Sequence, residues 1–212
     1  MTHTAAVATL EPVKPAPFTY HAPTTVDDVV AVLDSEGDSK ILAGGQSLVP
    51  TMNFRLARPA ALVDINGVLG LGDLMTSDGH LDVGALVRHS RFERPVEPGL
   101  LGTILADVAR YVGHHPIRVR GTFAGSIAHA DPAAEWAVVA RTLDATMIVR
   151  GPDGERAIGA DRFFHTIFTT DLAENEILTS VRLPLLAAEH RAGFAEFARR
   201  AGDFALVMAL FT

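Results

Sequence analysis

Two runs of small residues constrain this chain more than any other feature. They are Ala43-Gly44-Gly45-Gln46-Ser47-Leu48 and Gly121-Thr122-Phe123-Ala124-Gly125-Ser126. The first follows Lys40 to Ala43, which reads as a short buried strand. Glycines there permit positive φ and close backbone approach, so successive N–H groups can converge on an anion. Gln46 and Ser47 can add side-chain hydrogen bonds. Taken alone, this loop is equally well explained as a plain turn after a strand. The second run leads through His129-Ala130-Asp131-Pro132-Ala133-Ala134-Glu135 into an expected helix, with Asp131 at its cap and Pro132 at its first position. A helix N-terminus favours negative charge. Together the two loops offer a pyrophosphate cradle without any cationic side chain. Neither is a Walker loop, lacking Gly-Lys-Ser/Thr, and the chain has no Rossmann G-x-G-x-x-G.

Backbone capture of phosphate suits the charge. The formal net charge is −7, which argues against nucleic acid as a partner. Cysteine is absent, which excludes disulfides, thiolate catalysis and a cysteine-ligated iron–sulfur cluster in this chain and fits a reducing cytoplasm. No apolar run approaches the roughly 20 residues that span a bilayer. Residues 1–13 are small, polar and proline-rich, without a signal peptide's basic start and apolar core, and read as a mobile arm.

The rest of the pattern is mixed. Thr25 and Asp28 form a capping box before Val26, Val29, Val30 and Leu33, an amphipathic helix closed by Gly37. Strands are expected over Ala61 to Ile65 and His80 to Gly84, and a helix over Leu100 to Val112. His114 to Ala130 reads as irregular. After the helix from Asp131 to about Leu143, Thr146 to Arg150 and Arg156 to Ile158 flank a Pro152-Asp153-Gly154 hairpin. A helix near Asp161 to Phe168 and a strand over Ile177 to Leu183 follow. Phe204 to Phe211 reads as an apolar strand needing neighbours on both faces, either central in a sheet or part of a C-terminal portion that is cut short. Short strands interleaved with helices at uneven spacing indicate α+β.

The two glycine loops, His129-Ala130-Asp131-Pro132-Ala133-Ala134-Glu135 and Arg199-Arg200-Ala201-Gly202-Asp203-Phe204-Ala205 resemble, in this order, the medium subunits of the carbon monoxide dehydrogenase and xanthine dehydrogenase family. The resemblance runs from about Lys14 to the end. It implies a two-subdomain α+β FAD-binding fold of the PCMH (vanillyl-alcohol oxidase-like) type over residues 14–187. Residues 188–212 would then begin a truncated C-terminal α+β flavoprotein domain. It places Ala43, Gly44, Gly45, Gln46, Ser47 and Leu48, with Thr122, Phe123, Ala124, Gly125 and Ser126, against the FAD pyrophosphate and its neighbouring ribose or ribitol. Asp131 belongs to the same motif, Glu135 takes the acidic position directed at the flavin nucleotide, and Tyr111 and Leu178 fall near cofactor-lining positions.

The implied role is an electron relay in an oxidoreductase complex. Its partners would be a large molybdenum subunit carrying molybdopterin and a small iron–sulfur subunit carrying [2Fe-2S] clusters. The location would be cytoplasmic, free or at the inner face of the membrane. Two positions depart from the family pattern: Ala124 replaces the first of two glycines, and Ser126 stands where Asn or Asp is common. Were positive φ required at Ala124, the cost would be about 1 kcal/mol or more. An alternative is a degenerate or truncated relative without FAD, serving as an interaction or structural protein. A stand-alone FAD oxidase would need an acid–base group beside the flavin, and none is identifiable. His114-His115 and His129 with Asp131 lack the further ligands a metal site needs. Arg118 and Arg120 read as solvated or phosphate-facing, Asn53, Arg55 and Arg58 as solvent or interface residues, and Trp136 as core.

Overall fold

A computed structural model describes residues 15–212, so the expected arm lies outside the described residues. β1 (Thr19–His21) is followed by α1 (Val26–Ser35), β2 (Ser39–Leu42), α2 (Leu48–Asn53) and β3 (Ala61–Asp64). The Thr25 hydroxyl accepts the Asp28 N–H at 3.1 Å, and Val29, Val30 and Leu33 form the buried stripe of α1. The three strands form a parallel sheet in the order β1-β3-β2. Ala61, Leu62 and Val63 of the central strand are all buried, as expected for a parallel strand covered on both faces.

A second, antiparallel sheet carries the larger core. β4 (Leu74–Ser77) and β5 (His80–Gly84) precede a 3-10 turn at His89–Phe92. Four helices follow: α3 (Leu100–Ala109), α4 (His115–Arg118), α5 (Phe123–His129) and α6 (Glu135–Thr142). β6 (Thr146–Gly151) and β7 (Gly154–Gly159) make the expected hairpin, followed by α7 (Ala160–Phe163), the small hairpin of β8 (Phe164–Thr166) and β9 (Thr169–Thr170), and β10 (Ile177–Pro184). The five-stranded sheet runs β4-β5-β10-β6-β7, with β10 completing it between its two hairpins. Phe92, Phe123 and Trp136 are fully buried, with ring centroids 4.8 to 5.4 Å apart. They fix the 3-10 turn, α5 and α6 around one aromatic centre. β11 (Gly193–Phe197) and β12 (Val207–Phe211) form a separate hairpin that touches α3 and α6.

Four local expectations are corrected. The stretch expected to be irregular, His114 to Ala130, contains α4 and α5; small residues hid a helix that Thr122 caps by accepting the Gly125 N–H at 3.1 Å. Asp131 does not cap α6, which starts four residues later with Ala134 at its N-cap. Instead the Asp131 carboxylate accepts the Ala133 N–H at 2.8 Å, closing a turn around Pro132. The helix expected to reach Phe168 ends at Phe163, and Phe168 itself has φ 57°. The apolar strand expected over Phe204 to Phe211 spans only Val207–Phe211 and, among the described residues, pairs only with β11. It is not central: its side chains alternate, leaving Val207 and Phe211 63% and 62% exposed.

Candidate functional site

The two small-residue loops meet. β2 delivers Ala43 and Gly44 to a point where a Cβ on Gly44 would lie 2.5 Å from both the Arg120 carbonyl oxygen and the Gly121 Cα. Only glycine allows that approach. Gly45 turns the chain with φ 70°, after which the Gly45 and Ser47 carbonyls accept the N–H groups of Val49 and Thr51 as α2 begins. Among the described residues, the N–H groups of Gly44, Gly45, Gln46 and Ser47 have no hydrogen-bond acceptor, and neither has the Ser47 hydroxyl. The Gln46 amide nitrogen donates to the Gly44 carbonyl at 3.1 Å and stiffens the turn. This loop therefore offers several uncommitted donors in consecutive residues, the arrangement an anion-binding nest requires.

The second loop is held from the opposite side. The N–H groups of His89 and Phe123 donate to the Gly121 and Val87 carbonyls, pairing this loop with Arg88 in a single antiparallel bridge. Phe123 and Ala124 are buried, while Gly125 and Ser126 are half-buried. Ala124 lies inside α5 and is absent from the positive-φ residues, so alanine is compatible there and the expected strain does not arise. A Cβ on Gly125 would lie 2.5 Å from the Thr122 hydroxyl and 3.8 Å from the Ala43 Cβ, which again brings the two loops together.

Behind the loops lies a hydrogen-bonded set that sequence reasoning missed. The Asn66 amide donates to the Ala43 carbonyl at 2.8 Å and to Asp64 at 2.6 Å, and the Tyr20 hydroxyl donates to Asp64 at 2.6 Å. Burial alone would raise the Asp64 carboxyl, but bonds from Tyr20 and Asn66, with the Arg88 charge, hold it below the usual range. The Arg88 guanidinium donates to the Asn66 side-chain oxygen at 2.6 Å and to the Arg120 carbonyl. A cation thus stands beside two loops expected to lack one. Asn66 follows β3 at a sequence distance from either loop, and no local pattern marks it. Arg118, by contrast, bonds Glu93 at 2.7 Å.

The chain has informative relatives over about nine tenths of its length, 91% in the first case. Residues 16–186 match the family described as the FAD binding domain in molybdopterin dehydrogenase. This chain belongs to that family. The alpha subunit of the 6-hydroxypseudooxynicotine dehydrogenase complex of Paenarthrobacter nicotinovorans is 41% identical to it over 91% of the chain and 66% of the relative. The carbon monoxide dehydrogenase medium chain of Hydrogenophaga pseudoflava is 35% identical over 90% of the chain and 67% of the relative. Among solved structures, quinoline 2-oxidoreductase from Pseudomonas putida 86 superposes with a TM-score of 0.87 at 41% identity, covering 93% of this chain and 68% of that one. The chain thus spans about two thirds (66%) of the first of these relatives. The fold is the two-subdomain PCMH-type arrangement of these FAD-binding domains.

The remaining expected residues of this FAD-binding domain are placed as follows. Leu48 opens α2 and is half-buried. Asp131 is held in its turn. Glu135 is 6% exposed at the start of α6; burial pushes its carboxyl up to about 7, with the charges of Glu196 and Asp131 adding to the rise. Tyr111 packs edge-on against Phe194 of β11, ring centroids 5.3 Å apart. Leu178 is buried in β10. No contact seen among the described residues brings Tyr111 to either loop. No helix among the described residues is long and apolar enough to cross a membrane.

Proposed function

We propose that this chain is the FAD-binding electron-transfer subunit of a molybdenum hydroxylase complex, passing electrons from iron–sulfur clusters to an external acceptor. The observation that carries the reading is the junction of the two loops, with Gly44 seated against Gly121 and four consecutive N–H groups left without acceptors among the described residues. A pyrophosphate supplies the oxygens those donors lack, so the residues present fit the group. Gly44, Gly45, Gln46 and Ser47 would bind one face of the diphosphate. Ser126 would face it from the other loop, with Thr122, Ala124, Ala43, Leu48, Phe123 and Gly125 shaping the backbone around it. When bound, FAD supplies the two-electron chemistry, and the protein positions and tunes it.

The chain's own contributions follow from its groups. The loops fix the dinucleotide by its diphosphate, and the preformed glycine turn lowers the ordering cost of binding. Glu135, with its raised carboxyl pKa, would be partly protonated near neutral pH and so able to donate as well as accept toward a nucleotide hydroxyl. Tyr111 and Leu178 are assigned to the flavin lining on the family resemblance alone. Residues 14–187 would constitute the FAD-binding domain and residues 188–212 the opening of a further flavoprotein domain. Relatives named as a complex subunit and a medium chain, with a family described from molybdopterin dehydrogenases, support partner subunits of the molybdopterin kind; the iron–sulfur partner and a cytoplasmic location are assigned on the family resemblance alone.

Reconstitution tests the relay. Full-length chain loaded with FAD is mixed with candidate substrates, first alone and then with the molybdenum and iron–sulfur subunits, and flavin bleaching is followed. Bleaching only in the complete assembly is expected. Equally fast bleaching by substrate in the isolated chain would overturn the relay in favour of a self-sufficient oxidase.

A further inference from the structure

The two loops do not rest on each other only by packing. Each is gripped at the carbonyl just before its first glycine: Ala43 before Gly44 by the Asn66 amide, and Arg120 before Gly121 by the Arg88 guanidinium. Arg88 and Asn66 are themselves joined at 2.6 Å, so one unbroken chain of hydrogen bonds runs from one loop to the other. The chain is anchored outward as well, through Asn66 to Asp64 and through Asp64 to Tyr20 of β1. The guanidinium fork bridges the turn after β3, which carries Asn66, and the antiparallel half, which contributes Arg88 and Arg120.

We infer that Asn66 and Arg88 are positioning residues that set the separation of the two glycine loops and thereby the grip on a dinucleotide diphosphate. This rests on the cradle reading above. A bidentate guanidinium holds two acceptors at a fixed spacing, which a lysine ammonium cannot reproduce. Its charge, partly offset by Asp64, stands next to the loop that carries Gly121 and spends no donor of that loop on itself. Gly44 already touches Gly121, and a small change of separation would misplace the N–H groups on both sides.

The test uses the full chain and FAD titration by flavin fluorescence, with ADP as a second probe that carries the diphosphate but no flavin. Asn66 is exposed, so Asn66→Ala is expected to fold, and its melting temperature and circular dichroism check this. Loss of a bond to a charged group predicts that Arg88→Met weakens FAD and ADP in parallel by about tenfold or more. Asn66→Ala should do the same, with faster amide exchange at Gly44 to Ser47 and Gly121 to Gly125 in the ligand-free protein. Arg88→Lys keeps the charge and loses the fork. It should behave like Arg88→Met, and full recovery by lysine would overturn positioning in favour of charge alone. Gly45→Leu separates this inference from the one beneath it. If Gly45→Leu abolishes FAD binding while Asn66→Ala and Arg88→Met bind normally, the brace is wrong and the cradle stands. If Gly45→Leu binds FAD normally, the cradle itself is wrong.

Discussion

Gly44→Ala is the smallest change that tests the loop junction. The added Cβ would sit 2.5 Å from the Arg120 oxygen and from the Gly121 Cα, whereas ordinary contact begins near 3.4 Å. Both neighbours are backbone, and the Arg120 carbonyl is tethered by Arg88, so neither can rotate away. The loops must part by nearly an ångström. Forcing one methyl into a packed site costs about 1–3 kcal/mol. For a chain of this size that lowers the melting temperature by roughly 2–4 °C per kcal/mol. The same displacement moves the donors of both loops off a common ligand, and FAD affinity should fall by about tenfold or more if even one good hydrogen bond is lost. Gly37→Ala is the control, because a Cβ there meets nothing within 4 Å. Differential scanning calorimetry and FAD titration on the two variants provide the comparison. Gly44→Ala melting and binding like Gly37→Ala would refute the close-approach argument.

Further outcomes follow from single residues. Ala124→Gly should destabilise by about 0.5–1 kcal/mol in thermal melts, because the position is helical and gains nothing from glycine's freedom; a gain in FAD affinity would show that the loop needs the second glycine after all. Burial raises the Glu135 carboxyl to about 7, so the folded state keeps a proton that the unfolded chain releases. Stability from this group is therefore lost as pH rises from the usual glutamate range through about 7. Denaturant titrations of Glu135→Gln across that window should show a shallower loss than the parent, and identical slopes would remove the assignment. His89 has the opposite sign. Burial, aided by the Arg88 and Arg118 charges, holds its pKa down to about 4, so it costs stability as pH falls below the ordinary histidine range. The Trp136 indole N–H donates to His89 Nδ1 at 2.9 Å, and His89→Leu should cost about 1–3 kcal/mol by leaving that buried donor unpaired. An unchanged midpoint in urea would show that the indole finds another acceptor.

How much was legible depended on whether the deciding forces were local. The α1 cap, its apolar stripe and the Pro152-Asp153-Gly154 hairpin are set by neighbouring residues, and all three are found where the pattern places them, with Gly154 paired to Gly151 across the turn. Helix α5 was missed because Gly, Ser and Ala in a row resemble a loop, whereas its stability comes from burying Phe123 and Ile127 against the sheet. Asp131-Pro132 carries a helix-start signature, yet the same Asp side chain closes a turn four residues earlier, and tertiary packing of Trp136 decides where α6 begins. The loops were visible as sequence, and their contact was not. Asn66 and Arg88 acquire a role only when β3 and the segment after β5 are brought side by side. Burial of Glu135 beside Glu196 likewise depends on the β11–β12 hairpin folding back over α6.

The central claim is that the Gly44–Ser47 loop, pressed against the Gly121–Ser126 loop, holds FAD. Its most direct test is the visible absorption spectrum and flavin content of the full chain after incubation with excess FAD and gel filtration, beside Gly45→Leu. Gly45 has φ 70° and its Cβ direction is crowded by Leu42 and Val49 at 3.0 and 3.1 Å, so a leucine cannot keep the turn. The account predicts stoichiometric oxidised flavin on the parent chain and none on a folded Gly45→Leu. Equal flavin on both, or none on the parent at any FAD concentration, would contradict it.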